Sequence, residues 1–206
     1  LALIVIAAVG SYFVYGFVKS KATEVVAGFT TTEAVKVEMP ELSQAQIDAA
    51  QAKYDALTAG MGGGELVPLV LTGDDINALI IKHPSFSALR DRASVRIEDD
   101  KLRSQVSVNL DELQIPVKFI ADAVKGKYFN GEATFALGMA VGRPVLYIEG
   151  LEVNGAVIPD EFMKELRKEN LLEKAVKDPD SAAFFERIED LKIENGELII
   201  VPKSAP

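Results

Sequence analysis

Asp74-Asp75, Asp99-Asp100 and Asp111-Glu112 are the residues of this chain whose types and spacing could do chemistry. Two carboxylates facing each other across a cleft can share acid and base roles in hydrolysis. Each pair, however, falls at a helix start or a turn, where acidic residues are expected for structural reasons. Asp74 and Asp75 follow Thr72 at a helix N-terminus, and negative charge there complements the helix dipole. His83 is the single histidine, so multi-histidine metal clusters are excluded. It stands beside Pro84 at a helix end, and no Gly-x-Ser-x-Gly elbow accompanies it. Gly62-Gly63-Gly64 lacks the Gly-Lys-Ser/Thr ending of a phosphate loop and reads as a flexible connector. With no cysteine, disulfides and thiolate metal sites are also excluded. The expectation is a protein with no catalytic residues, no cofactor and no metal.

The elements that would position a site follow from periodicity. A stalk over residues 19–40 closes at Pro40. Ser43 and Gln46 form a capping box for a helix with Ile47, Ala50, Tyr54 and Leu57 on its apolar face, ending near Gly60. A short strand is expected over 65–71. Thr72 and Asp75 then cap a second helix, whose face is Ile76, Leu79, Ile80 and His83. From Arg92 the period becomes two. Ala93, Val95 and Ile97, then Leu102, Val106, Val108 and Leu110, mark the dry face of an antiparallel hairpin turning at Asp99-Asp100. A mainly apolar piece over 115–124 leads to a second hairpin. Phe129, Ala133, Phe135, Leu137 and Met139 line one face of its first arm, and Gly142-Arg143-Pro144 is its expected turn. An arm of about ten residues exceeds the usual ~5–6 and must twist and curve. Asn154-Gly155 makes a tight turn, and Pro159-Asp160 opens a helix bearing Phe162, Met163 and Leu166. A short helix carrying Phe184 and Phe185 follows the Asp178-Pro179-Asp180 break, and the last hairpin turns at Asn195-Gly196.

The N-terminus states an address. Residues 1–18 carry no charge, and Lys19 and Lys21 follow at once. Eighteen helical residues reach ~27 Å, close to the ~30 Å hydrocarbon layer, and Tyr12, Phe13, Tyr15 and Phe17 suit the water–lipid boundary. A cleaved signal peptide would have a shorter apolar run and a better cleavage site than Ser20-Lys21-Ala22. A buried core helix would have a polar face. Residue 1 is leucine, so further residues are expected before it, and they would carry the flank that sets orientation. Lys19 and Lys21 alone favour a cytoplasmic domain, whereas one span followed by a long C-terminal domain is the layout of an outward-facing signal anchor. The expected domain faces outward. The organisation is then 1–18 transmembrane anchor, 19–40 juxtamembrane stalk and 41–206 extracytoplasmic domain.

The chain of 206 residues has 31 acidic and 22 basic side chains, a net charge of −9. Such a surface repels phosphates, so nucleic acid is not an expected partner. The expected fold class is α+β: a long, curved antiparallel sheet of hairpins packed against several helices. A curved sheet closing imperfectly on helices can leave an apolar groove, and Ile76, Leu79, Ile80, Phe129 and Phe135 are its expected lining. The partner is then the membrane, with lipid or another apolar ligand in the groove. The alternative is an envelope-assembly or interaction module with a solid core.

Leu71-Thr72-Gly73-Asp74-Asp75-Ile76-Asn77-Ala78-Leu79-Ile80 resembles the "L-T-x-x-x-[IL]-N-A-L" helix of YpmS-like bacterial proteins. Tyr128-Phe129-Asn130-Gly131-Glu132, and Leu151-Glu152-Val153-Asn154-Gly155 followed by Ile158-Pro159, are similar to the same layout. The resemblance spans residues 65–201 and the N-terminal anchor. It implies a membrane-anchored protein related distantly to tubular, lipid-binding-like folds, and it implies no catalytic residue.

Overall fold

The computed structural model of the chain describes residues 29–63, 65–112, 122, 124–158, 160–177 and 179–203. The apolar run 1–18, the first part of the stalk, most of the 115–124 piece, Pro159 and Asp178 lie outside them. Among the described residues no helix is long and apolar enough to cross a membrane.

The elements run α1 (Gln44–Met61), β1 (Leu69–Leu71), α2 (Gly73–Lys82), a 3₁₀ segment (Pro84–Leu89), β2 (Ala93–Glu98) and β3 (Lys101–Asn109). Then come a 3₁₀ turn (Leu110–Glu112), β4 (Tyr128–Ala140), β5 (Arg143–Val153), β6 (Ala156–Val157) and α3 (Asp160–Leu166). The chain finishes with α4 (Glu173–Lys177), α5 (Pro179–Phe185), β7 (Ile188–Glu194) and β8 (Glu197–Pro202). The class is α+β with antiparallel pairing, as the two periodicities require. The strands form two sheets, ordered β2-β3-β4-β5-β6 and β1-β8-β7, rather than one long sheet. The division arises because β1 pairs with β8, setting Leu69 against Ile200 and Leu71 against Leu198. That pairing is remote in sequence, and no local pattern encodes it. β1 is also shorter than expected. It starts after Pro68, which has no N–H to give to a ladder, and Leu66 and Val67 are exposed.

Both capping boxes form. Ser43 Oγ accepts from the Gln46 N–H, and Thr72 Oγ accepts from the Asp75 N–H. α1 runs through Gly60 and is capped by Gly62. In the larger sheet Val95 lies against Ser104, which lies against Ala133, and Leu102 lies against Phe135. These side chains form the inner face. The outer face carries ion pairs, Arg96–Glu132 at 2.8 Å and Arg103–Glu98 at 3.2 Å. The outer face is not wet throughout. Ser107 and Asn130 are buried there because residues 31–35 are hydrogen-bonded over them. The Asn130 amide donates to Thr31 Oγ at 2.8 Å and to the Glu33 carbonyl at 2.9 Å. Its oxygen accepts from the Val35 N–H at 3.1 Å and from Ser107 Oγ at 2.7 Å. Val37 is buried as well. The later part of the segment read as a stalk is thus held on the sheet.

The smaller sheet packs close to the larger one. The Leu191 carbonyl lies 3.8 Å from where a Cβ on Gly138 would stand, and the Gly196 N–H donates to Asp100 Oδ1 at 3.1 Å. Asp99-Asp100, Asn154-Gly155 and Asn195-Gly196 all have positive φ at both turn positions, the geometry that matches strand twist. The β4–β5 reversal is one step earlier than the expected Gly142-Arg143-Pro144. It occurs at Val141-Gly142, with φ of 51° and 71°, and Arg143 and Pro144 already belong to β5. A two-residue primed turn preserves the register Met139↔Pro144 and Ala140↔Arg143, which a turn beginning at Gly142 would shift.

Val141 is a β-branched residue in the left-handed region and is fully exposed, so it is strained without any packing return. Val141→Asn is expected to raise stability by about 1 kcal/mol, read as an upward shift in the thermal midpoint. An unchanged or lower midpoint would contradict this account of the turn.

Candidate functional site

The inner face of a sheet is useful only if something holds its edges and its opposite wall. β2 is an edge strand, and Val95 turns its N–H and C=O away from β3. Helix α2 supplies the missing partner. The Asn77 amide donates to the Val95 carbonyl at 2.7 Å, and Asn77 Oδ1 accepts from the Val95 N–H at 2.8 Å. A helix side chain thus takes the place of a neighbouring strand, with Asn77 only 2% exposed. Gly73 allows the close approach: a Cβ there would lie 3.3 Å from Arg96 Cα and from the Val95 carbonyl oxygen. At the other side of the sheet Asn170 acts similarly. Its side-chain oxygen accepts from the Leu146 N–H at 3.0 Å, and its amide donates to the Pro144 carbonyl at 3.1 Å.

Asp75 ties α2 to α1. Its Oδ2 accepts from Lys53 Nζ at 2.7 Å and from the Thr72 N–H at 2.9 Å. Burial alone would raise this carboxyl. The hydrogen bonds from Lys53 and Thr72, with the lysine charge, outweigh it and hold the group below its ordinary value.

Between α2 and the two sheets lies a cavity of about 150 Å³, partly open to solvent. α2 gives Ile76, Leu79 and Ile80 to its wall, and the larger sheet gives Val95, Leu102, Ser104, Leu137 and Leu146. Leu71, Leu198 and Ile200 of the smaller sheet face them. Tyr54, Leu57, Phe86 and Phe184 complete the helical side, and His83 lies between Tyr54 and Phe86, edge-on to the first and tilted to the second, 4.7 Å and 5.4 Å from their ring centres. Burial, then the nearby Asp55 carboxylate, raises the Tyr54 phenol above its usual value. The lining contains no charged side chain. Ser104 Oγ is buried without a hydrogen-bond partner.

Three of the five residues expected to line a groove, Ile76, Leu79 and Ile80, come together in this wall. Phe129 and Phe135 do not line it. Both are buried on the inner face of β4, but Phe129 is opposite Val108 at the far end of the sheet, and Phe135 fills the core between Leu102 and Ile148. Leu137, two residues on, takes the lining position on β4. Asn77 and Ser104 are site residues that periodicity does not select, although each leaves a trace in the pattern. Asn77 is a polar residue next to Ile76 on an apolar helix face. Ser104 stands where the alternation Leu102–Val106 calls for an apolar side chain.

The carboxylate pairs are elsewhere. Asp74, Asp99, Asp100, Asp111 and Glu112 are exposed, and none of them lines the cavity. Asp111 accepts from the Gly126 N–H at 3.0 Å, and Glu112 pairs with Arg92. Among the described residues no group of three or more metal-ligating side chains converges. No family model, no curated protein and no solved structure matches the chain.

Two measurements test how the cavity wall is held. Asn77→Leu leaves the Val95 N–H and C=O unpaired, so it is expected to cost about 2–4 kcal/mol in urea unfolding; a neutral outcome would mean the amide does not anchor α2. Asp75 is depressed in the folded state, so its contribution is present above the unfolded pKa and is lost as pH falls through the folded one. From about pH 4 downward, the chain should therefore lose stability more steeply than Asp75→Asn. Parallel pH curves for the two proteins would refute this role.

Proposed function

We propose that the chain is a single-pass, membrane-anchored, non-enzymatic protein of the cell envelope. Its domain lies outside the cytoplasm and takes lipid or another apolar ligand into the cavity beneath α2. The supporting observation is the cavity itself. An apolar cavity of about 150 Å³ that opens to solvent leaves its lining without partner atoms on one side. A ligand would restore the missing contacts. The void favours this reading over an interaction module with a solid core. Its size corresponds to an engineered cavity that binds benzene, so it suits a compact molecule or one chain end rather than a whole phospholipid.

Two features support the membrane setting. The uncharged run 1–18 followed by Lys19 and Lys21 has the length and flanks of a span. Thr31 bridges to Tyr128, so only a short stretch of sequence separates that run from the sheet. The resemblance to YpmS-like proteins implies an anchored domain.

The full chain in lipid nanodiscs, irradiated with an octanol bearing a diazirine, is expected to be labelled within α2 and β3. Leu137→Trp, which fills the cavity from β4, should reduce that labelling several-fold with an unchanged circular dichroism spectrum. Labelling confined to residues 1–18 would overturn the ligand reading. Recovery of the intact chain in the aqueous fraction of disrupted cells would overturn the anchor.

A further inference from the structure

Ser104 is the unexplained atom group of the cavity. It is 2% exposed and lies on the inner face of β3, with Val95 beside it on β2 and Ala133 beside it on β4. Its hydroxyl has no hydrogen-bond partner. A buried hydroxyl left unpaired is unfavourable, and alanine would fill the same position without that cost. The hydroxyl oxygen is buried away from the solvent that reaches the cavity mouth, and a lone water beside it would need two to four polar groups. Of the residues lining the cavity, Tyr54 on α1 is the one other with a polar side-chain group.

We infer that Ser104 is the polar contact for the cavity's ligand, and that this ligand is a compact, neutral, apolar molecule bearing one hydroxyl or carbonyl oxygen. This rests on the cavity being a binding site, as proposed above, and narrows its ligand class. Neutrality follows from the lining. With no Lys, Arg, His, Asp or Glu in the wall, a carboxylate or ammonium group would lose its hydration with nothing to replace it. Compactness follows from the volume of about 150 Å³. The oxygen follows from Ser104, whose hydroxyl turns freely and can donate to a carbonyl or both donate to and accept from a hydroxyl. An acyl chain entering tail first would fill the space and leave Ser104 as it is.

Phenol and toluene have nearly the same shape and differ by a hydroxyl in place of a methyl, so they isolate this contact. The full chain in nanodiscs is titrated with each, following the methyl NMR signals of Ile76, Ile80 and Leu102, with free concentrations set against empty discs. Ser104→Ala is expected to lower the phenol-to-toluene affinity ratio about tenfold, mainly by weakening phenol. The ligand-free variant should melt no lower than the parent chain. An equal ratio in the two proteins, with toluene bound by both, would overturn the role of Ser104 and leave the cavity reading standing. A lower melting point of ligand-free Ser104→Ala would overturn it too, because the hydroxyl would then serve the fold. If neither compound moves the cavity methyls of the parent chain, the cavity reading fails and this inference fails with it.

Discussion

A side-chain amide has the same donor and acceptor as a peptide group, and this domain depends on that equivalence. Asn77 presents its amide to Val95 on the open edge of β2 and completes there, with two short hydrogen bonds, the ladder that a further strand would have made. One contact therefore does two jobs. It closes a sheet edge that would otherwise template association, and it sets the distance and angle of α2 over the inner face. The placement of Ile76, Leu79 and Ile80 in the cavity wall follows from that docking.

Asn170 and Asn130 extend the same device. Asn170 pairs with Leu146 and Pro144 at the start of β5, a stretch the two-residue strand β6 is too short to cover. Asn130 receives the chain segment that follows the N-terminal run. Val95 and Leu146, the two edge residues held by amides, are both cavity-lining residues. The sheet is thus tied at the points where its inner face is least well filled. A void is tolerated there because the surrounding backbone is hydrogen-bonded and cannot collapse into it without breaking those bonds.

The wall itself is built from parts with different origins. Its helical side is an amphipathic face, and its sheet side is a row of alternating residues. The third wall, Leu71, Leu198 and Ile200, exists because β1 and β8 meet. Phe135 illustrates how narrow the margin is. It occupies the same face as Leu102 and Leu137 and is only 1% exposed, so the core is solid at one residue and open at the next.

Short-range features were legible in the residues. Ser43-to-Gln46 and Thr72-to-Asp75 spacing determined two helix starts, because a capping box involves groups three residues apart. The Asp99-Asp100, Asn154-Gly155 and Asn195-Gly196 pairs determined hairpins, because few residues accept two positive φ angles in succession. Alternation from Ala93 onward determined which side of the strands is dry. The β4–β5 turn was misplaced because Val141 has no turn chemistry of its own; its conformation is imposed by the register of the long arms. Tertiary structure alone decided that the strands divide into two sheets, that Phe129 and Phe135 fill the core while Leu137 faces the cavity, and that Ser104 lies buried with an unpaired hydroxyl. Periodicity assigns a residue to a face. Whether that face meets another side chain or empty space depends on contacts between residues as distant as 69 and 200, and these contacts form only when the whole chain has folded.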